Sequence, residues 1–282
     1  METQRAHGDE AFGLYFGNPM GHPYQSMLAL LALARYIGTR NLFSSSSVDS
    51  HPRTLVSMLL YGNQAVLPIP DIERTDYLVI MGANPLVSNG SVMTAPDVKK
   101  RLAAIRERGG KIVVIDPRRT ETAEIADRHH FIQPGTDALL LLAGLHTLNR
   151  QGKLQPGALA PTIEGLPELI ALVARFPPAR VATIVGIEAE AIEALATELG
   201  EARSAVWYGR MGTSTQELGC LSTWLISRDH LTDRPDPRRG RGERRDDARR
   251  GELALRPGPR SARREALGGE GAGRREHERH HR

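Results

Sequence analysis

The sequence predicts an α/β fold with a doubly wound, mainly parallel sheet. Short apolar runs alternate with segments of helical periodicity from about residue 11 to residue 230. The run DYLVIMG at 76–82 is apolar throughout its centre, as in a strand that helices cover on both faces. Such alternation joins parallel strands through right-handed crossovers. We therefore expect a Rossmann-like arrangement of strands and helices.

The elements follow from this pattern in chain order. Strands are predicted over 12–17, 76–82, 111–116, 129–134 and 204–209, with a short strand or loop at 41–47. Helices are predicted over 24–37, 53–62, 95–110, 120–127, 136–153, 166–176, 188–199 and 217–226. Gly109 and Gly110 end the third of these helices, and Thr136 or Asp137 caps the fifth. A glycine-rich turn is expected between the last strand and the last helix.

Length and composition restrict the class of protein. A chain of 282 residues, 40% hydrophobic and 25% charged, suits one or two soluble domains. It contains no run of 18 apolar residues and no apolar segment behind a basic start, so neither a membrane span nor a signal peptide is expected. The single cysteine, Cys220, excludes an internal disulfide and a cysteine-ligated cluster within this chain. We expect a cytoplasmic protein without membrane contact.

The C-terminal segment 231–282 differs from the rest and accounts for the basic charge. Residues 233–282 contain 16 Arg and 10 acidic residues, whereas the remainder has 21 basic and 23 acidic residues. This segment lacks Ile, Val, Phe, Tyr, Trp, Met and Lys, so it is predicted to be disordered. Its bias towards residues with GC-rich codons favours out-of-frame translation. A basic nucleic-acid-binding arm and a spacer are the alternatives, and the cluster His277, His280 and His281 is interpreted as accidental.

Polar and small residues follow each of four predicted strands. The segments are GANPLVSNG at 82–90, DPRRTET at 116–122, PGTD at 134–137 and GRMGTSTQ at 209–216. Each alone could be a turn or a helix cap. Together they would meet outside the carboxyl ends of the strands, where such sheets bind ligands.

The residue types indicate a large nucleotide-like ligand. An acid after a strand accepts hydrogen bonds from ribose hydroxyls, and glycines with helix N-termini present N–H groups to a pyrophosphate. Two neighbouring arginines add charge for phosphate. A GxGxxG motif follows none of the strands, which argues against ordinary NAD or FAD binding.

These motifs carry a family resemblance. GANP at 82–85, DPRRTETA at 116–123 and PGTD at 134–137 occur in this order, followed by YGRMGTSTQELG at 208–219. With them the chain resembles the molybdopterin oxidoreductase family, which includes formate dehydrogenases, periplasmic nitrate reductases and dimethyl sulfoxide reductases. The resemblance implies that the domain binds one arm of a bis-molybdopterin guanine dinucleotide (bis-MGD) cofactor with Mo or W.

The resemblance also implies a set of cofactor-binding residues. The set comprises Gly82, Ala83, Asn84, Asn89, Asp116, Arg118, Arg119, Thr120, Gly135, Thr136, Asp137, Met211, Gly212 and Gln216. Residues 116–120 would serve the ribose, guanine or phosphate end, and 135–137 would close the pocket. Residues 211–216 would approach the pterin. Family members also carry an N-terminal iron–sulfur domain and further cofactor-binding domains, so the chain is expected to be a fragment.

The metal ligand and the catalytic residue are not assigned. The region matching the ligand position is near 44–52, where a polar loop that caps the next helix is the alternative. Its candidate ligands are Ser47, Asp49 and Ser50, and no cysteine stands there, which counts against a thiolate ligand. His51 could act as an acid or base or be solvated, and His129 and His130 are interpreted as structural or exposed.

Three functions are therefore compared. The first is a piece of a molybdopterin-dependent oxidoreductase, which in the intact enzyme would act on a small molecule and exchange two electrons with a partner. The second is a non-catalytic remnant that binds nucleotides. The third is a nucleic-acid binder, which only the basic tail supports and the slightly acidic body opposes.

Overall fold

The computed structural model describes residues 2–17, 24–93, 95–154 and 164–227. The predicted disordered tail at 231–282, with its three histidines, lies outside the described residues. The helices are α1 Glu2–His7, α2 Tyr24–Ile37, α3 Ser46–Asp49, α4 His51–Tyr61, α5 Pro85–Ser88, α6 Val98–Glu107, α7 Glu121–Ile125, α8 Asp137–Arg150, α9 Leu166–Val173, α10 Pro178–Val185, α11 Ala189–Glu201, α12 Met211–Ser214 and α13 Gly219–Ile226. The strands are β1 Leu14–Phe16, β2 Leu42–Ser44, β3 Tyr77–Met81, β4 Lys111–Ile115, β5 Arg128–His130 and β6 Ala205–Gly209. Short 3₁₀ turns cover Asp9–Ala11 and Ser91–Met93.

The central sheet of the described residues has four parallel strands in the order β5-β4-β3-β6. Tyr77 lies opposite Lys111 on one side and Ala205 on the other, so β3, β4 and β6 start and end level with each other. The predicted strand at 12–17 does not join this sheet. As β1, it pairs in parallel with β2 in a separate two-stranded sheet.

Helices cover both faces of the four-stranded sheet, which confirms the doubly wound prediction. Alternate residues of a strand point to opposite faces. Val79 and Met81 accordingly pack with the buried face of α8, α10 and α11, whereas Leu78 and Ile80 pack with α6. All five residues of β3 are buried, as their apolar run predicts.

The strand order creates a switch point between β3 and β6. From β3 the chain adds β4 and then β5 on one side, and it later returns to place β6 on the other side. Crevices outside the carboxyl ends at such points are where open α/β sheets bind ligands. The segments after β3 and β6 are therefore the first place to look for a site.

The opposite, amino-terminal edge of the sheet is held by an ion-pair network. The carboxylate of Glu198 accepts hydrogen bonds from Tyr77 at 3.1 Å and Arg128 at 2.5 Å, and Lys111 lies 3.4 Å away. These partners begin β3, β5 and β4. Burial and the neighbouring Glu198 raise the pKa of Tyr77 well above its ordinary value. This edge ties α11 to three strands and serves stability.

One predicted strand is shorter than expected and one helix was not predicted, each for an identifiable reason. The strand predicted at 129–134 is observed at Arg128–His130, because the N–H of Gln133 donates to the carbonyl of Val185 at the end of α10 rather than to the sheet. α10 was not predicted, since its β-branched residues obscured the helical period. It nevertheless buries Val181 and Val185 against the core.

A further difference between the predicted and the observed structure lies after β6. α12 replaces the predicted glycine-rich turn. None of the described helices is both long and apolar enough to cross a membrane.

Candidate functional site

The segments after β3 and β6 touch through their backbones. The N–H of Gly212 donates to the carbonyl of Gly82 at 3.0 Å. A Cβ at Gly82 would lie 2.8 Å from the nitrogen of Thr213, and one at Gly212 would lie 2.7 Å from the Cα of Gly82. Gly82 also has a φ of +56°, which side chains rarely adopt. Both glycines are therefore required for the two segments to meet.

A group we name the Gln216 cluster, comprising Gly82, Gly135, Asp137, Gly212 and Gln216, extends from this contact. The amide nitrogen of Gln216 donates to the carboxylate of Asp137 at 2.7 Å and to the carbonyl of Gly212 at 3.0 Å. The amide oxygen of Gln216 is buried and has no hydrogen-bond partner among the described residues. A Cβ at Gly135 would lie 3.9 Å from it. The cluster thus presents an unused acceptor at the switch point.

Asp137 carries the main electrostatic feature of the cluster. Burial raises the pKa of this carboxyl group, while the hydrogen bonds from Gln216 and from its own backbone N–H lower it. The charge of Asp116 raises the pKa of Asp137 further, so the two acids lie within electrostatic reach. The segment after β4 and the start of α8 therefore meet at the same edge.

Replacing Asp137 with asparagine tests this burial. Because the folded pKa of Asp137 is raised, this residue lowers the stability of the protein as pH rises from its unfolded pKa of ~3.9 through its folded pKa. We expect the stability of Asp137→Asn relative to the wild type to increase as pH rises above ~4, while the asparagine keeps an oxygen that accepts from Gln216. Urea unfolding at several pH values measures this. A stability difference that does not change with pH would contradict it.

A second group, the Asn84 bridge, comprises Asn84, Glu121 and Thr122. The amide oxygen of Asn84 accepts from the Thr122 hydroxyl at 2.7 Å, and its amide nitrogen donates to Glu121 at 2.7 Å. The Thr122 hydroxyl in turn accepts from the N–H of Leu86 at 3.2 Å. Asn84 thus uses its side chain to fasten the segment after β3 to the first turn of α7.

The DPRRT segment after β4 combines exposed charges with a structural turn. The carboxylate of Asp116 accepts from the N–H of Arg118 at 2.9 Å, which fixes the turn. Arg118 lies 3.7 Å from Glu121, and Arg119 is exposed and makes no ion pair with any described residue. The hydroxyl of Thr120 is buried and caps α7 by accepting from Ala123 at 3.1 Å. Both guanidinium groups therefore remain accessible to a ligand.

The remaining predicted site residues make none of the contacts that define these two groups. Asn89 ends α5 with a φ of +52° and lines an open cleft of about 400 Å³ between α5, α6 and α7. Met211 is 58% exposed, and Ala83 is buried in the core. The hydroxyl of Thr136 donates to the carbonyl of Gln133 at 2.7 Å, just before α8. Roles for these residues in cofactor binding stay predictions.

The segment considered for a metal ligand lies beside α12. Helix α3, which contains Ser47 and Asp49, packs against α12. The hydroxyl of Ser50 donates to Asp49 at 2.8 Å, and His51 is exposed. Across the part of the chain that the structure describes, no three His, Cys, Asp or Glu side chains form a metal-binding group.

The two histidines of β5 make structural contacts. The ring of His129 donates to the carbonyl of Asp116 at 2.9 Å and stacks edge-on with Phe131 at 4.3 Å. The pKa of His130 is lowered by its burial and by Arg128, which favours the neutral ring. These contacts agree with the structural interpretation.

Arg53 belongs to this edge and was missed by sequence reasoning. Its guanidinium donates to the carbonyl of Gly209, the last residue of β6, across 156 positions of sequence. The sequence did contain an indication of this contact. A cation in the first turn of a helix interacts unfavourably with the helix dipole, so its presence there suggests a stabilising interaction outside the helix. Arg53 is the third residue of α4.

The sequence of the chain matches that of a known protein family. The sequence pattern of the family described as Molybdopterin oxidoreductase matches residues 2–217. The chain belongs to the molybdopterin oxidoreductase family. The predicted resemblance is thereby confirmed, and the match includes both the Gln216 cluster and the Asn84 bridge.

Relatives within the family agree with this assignment. The chain is 31% identical to formate dehydrogenase H of Escherichia coli (strain K12) over 63% of its own length and 24% of the relative. It is 28% identical to a nitrate reductase of Symbiobacterium thermophilum over 78% of its length and 29% of the relative. The chain therefore spans about a quarter of the length of these curated relatives.

A solved structure shows the same fold. Acetylene hydratase from Pelobacter acetylenicus superposes on 84% of this chain and 31% of that chain, with a TM-score of 0.65 and 21% identity. The likeness supports the α/β architecture of this molybdopterin oxidoreductase domain.

Proposed function

We propose that this chain binds a guanine dinucleotide arm of a molybdopterin cofactor at the carboxyl edge of its four-stranded sheet. One observation carries the proposal. The segments after β3, β4 and β6 and the start of α8 meet at the switch point through direct contacts and through the coupled charges of Asp116 and Asp137. Dinucleotides bind α/β sheets at such an edge.

The residues present fit such a group. The contact of Gly82 with Gly212 leaves no room for a Cβ, so these glycines bring the segments after β3 and β6 together at the edge where the dinucleotide would bind. The buried oxygen of Gln216 lacks a donor among the described residues, and the cofactor could supply one. Asp116 is suited to ribose hydroxyls, and the accessible Arg118 and Arg119 are suited to phosphate.

When bound, the cofactor would supply two-electron redox chemistry, since its metal would cycle between Mo(VI) and Mo(IV) or the equivalent states of W. The described residues would orient the dinucleotide and exclude water around the buried Asp137 and the buried amide oxygen of Gln216. We assign the role of an oxidoreductase to the whole protein of which this domain is a part, because relatives are named formate dehydrogenases and nitrate reductases. That protein would act on a small molecule, exchange electrons with a partner through an iron–sulfur cluster on another segment, and function in the cytoplasm.

Binding of GDP to the 282-residue chain tests the dinucleotide site. We expect Asp116→Asn to weaken GDP binding about tenfold, because one charged acceptor for the ribose is removed. Isothermal titration calorimetry measures this, with guanosine as a second ligand that lacks phosphate.

Glu168→Gln serves as the matched control, because it removes the same charge from an exposed position on α9. GDP affinity equal in Asp116→Asn, Glu168→Gln and the wild type would refute the proposed role of Asp116. Absence of any GDP binding would remove the proposed function as a whole.

A further inference from the structure

Two neighbouring residues of β5 hold the main chain of Asp116. The N–H of Asp116 donates to the carbonyl of His130 at 3.2 Å. The carbonyl of Asp116 lies 2.9 Å from Nε2 of the His129 ring. Because a carbonyl oxygen can only accept, this ring nitrogen carries the proton and donates. Both main-chain polar groups of the acid that follows β4 are therefore bonded to β5.

The His129 ring supplies a donor beyond the end of the sheet. The ladder between β4 and β5 ends with the pair Ile115 and His130. In a continued ladder, the next carbonyl after β4 would accept from a main-chain N–H of the neighbouring strand. The chain leaves the sheet here, since the N–H of Gln133 donates to the end of α10 instead. The side chain of His129 thus replaces a main-chain bond at the carboxyl edge.

Packing fixes the direction of this donor. The half-buried ring of His129 meets the ring of Phe131 edge-on, with the centroids 4.3 Å apart and the planes at 62°. Edge-to-face contacts of this kind are favoured between aromatic rings. The Nε2–H group is therefore aimed at the carbonyl of Asp116 with the support of a second contact, unlike the donor of a mobile surface side chain.

The carboxylate of Asp116 keeps acceptor capacity for a ligand. One of its oxygens accepts from the N–H of Arg118 at 2.9 Å. A carboxylate has two oxygens with about four acceptor positions, so further donors can bind. The main chain of Asp116 is already ordered within the protein, so less conformational freedom is lost when a ligand binds. A fixed backbone with spare acceptor positions suits the recognition of hydroxyl groups.

We infer that His129 is a positioning residue, which directs the Asp116 carboxylate towards its ligand by holding the Asp116 carbonyl. It acts through Asp116, because its Nε2–H is used within the protein. That His129 orders the segment after β4 rests on the structure alone. That this order governs the binding of a ribose rests on the proposed function.

Amide hydrogen exchange of the 282-residue chain, followed by NMR, tests the ordering of Asp116. We expect His129→Phe, which keeps a ring but removes the donor, to raise the exchange rate of the Asp116 N–H about tenfold. His129→Gln should restore most of the protection, because its amide nitrogen can donate from a similar position. The amide of Val79 in the centre of β3 reports on global unfolding, and its exchange rate should change much less.

The preference for a ribose tests the effect on binding. Calorimetry with GDP and with 2′,3′-dideoxy-GDP, which lacks both ribose hydroxyls, measures the contribution of those hydroxyls to affinity. We expect the wild type to prefer GDP about tenfold, and His129→Phe to lose most of this preference while His129→Gln keeps it. A double variant of His129→Phe with Asp116→Asn should be little worse than Asp116→Asn alone, because both changes act through one carboxylate.

His146→Phe is the matched control. The ring of His146 lies 3.0 Å from the carbonyl of Val173, so this variant also removes a bond from a ring to a carbonyl, but between α8 and α9. It should leave the Asp116 exchange rate and the preference for GDP unchanged. Equal effects of His129→Phe and His146→Phe on either quantity would overturn the inference, because general destabilisation would then explain both.

The inference also fails if NMR of the wild type finds the proton of the His129 ring on Nδ1 alone, a measurement that requires no variant to fold. A folded His129→Phe with the Asp116 exchange rate or the ribose preference of the wild type would contradict it as well. GDP affinity that depends on Asp116 but not on His129 would overturn only this inference. If GDP does not bind at all, the proposed function is removed, while the tautomer and the exchange rate still decide whether His129 orders Asp116.

Discussion

Gly82→Ala is expected to lower the free energy of unfolding by about 3 kcal/mol. A left-handed φ costs an alanine roughly 1–2 kcal/mol, and forcing a methyl group into a packed contact costs roughly 1–3 kcal/mol more. Both apply here, since the φ is +56° and the new Cβ would lie 2.8 Å from the backbone nitrogen of Thr213. Neither the strand β3 nor α12 can move away without breaking the bond from Gly212 to Gly82. Urea or thermal unfolding measures the change.

Two control variants separate the contributions. Gly109 has a φ of +82°, and a Cβ added there would meet nothing within 4 Å. Gly109→Ala should therefore lower the free energy of unfolding by only about 1 kcal/mol. Gly212 has a φ outside the left-handed region, but a Cβ there would lie 2.7 Å from the Cα of Gly82. Gly212→Ala therefore measures the destabilisation that comes from the steric contact alone. If Gly82→Ala and Gly109→Ala destabilise equally, the backbone contact at the switch point does not exist.

The same substitution reports on function. Because the contact joins the segments that carry Asn84 and Gln216, separating them should also weaken GDP binding. Gly109→Ala lies at the amino-terminal end of β4 and should leave GDP binding intact. A protein destabilised at Gly82 but with full GDP affinity would place the nucleotide elsewhere.

The central strands could be predicted from the sequence because their apolar runs are local. β3, β4 and β6 were predicted within one residue at each end, and the loops that follow them were correctly expected to share one edge. The end of β5 could not be predicted, since it depends on Gln133 bonding α10 far along the chain. Helix α10 was missed because its buried valines resemble a strand in sequence alone.

Sequence reasoning located several residues of the candidate site but not the bonding between them. Motif order and strand ends located Asp116, Asp137 and Gln216, whereas the pairing of Gln216 with Asp137 joins residues 79 positions apart. Arg53 was not found, because its partner Gly209 is a main-chain carbonyl that no side-chain pattern marks. Sequence patterns indicate which residue types stand at a strand end, but only packing shows which donors and acceptors remain unused.

Asn84→Ala is expected to lower the free energy of unfolding by about 2 kcal/mol and to weaken GDP binding together with it. The Thr122 hydroxyl is fully buried, and losing its acceptor leaves a desolvated donor that costs roughly 1–3 kcal/mol. The first turn of α7, which follows the DPRRT segment, would then lose its attachment to the segment after β3. Urea unfolding and GDP calorimetry measure the two effects.

Asn63→Ala is the control for the asparagine substitution. The side chain of Asn63 accepts from Ala65 at 2.9 Å in an exposed turn, so its loss should cost under about 1 kcal/mol and leave GDP binding unchanged. Equal destabilisation by the two variants would show that Asn84 does not bridge buried groups.

A double-mutant cycle decides whether Asn84 positions the site or contacts the ligand. If its role is to hold Thr122, then Thr122→Val should remove most of the same stability and GDP affinity, and the double variant should be little worse than either single variant. If Asn84 binds the dinucleotide directly, Asn84→Ala should weaken GDP binding also in the Thr122→Val background. We expect the first result, because the oxygen and nitrogen of the Asn84 amide are both used within the protein at 2.7 Å. Asn84 of the GANP motif would then affect nucleotide binding only through α7, the helix that it fastens.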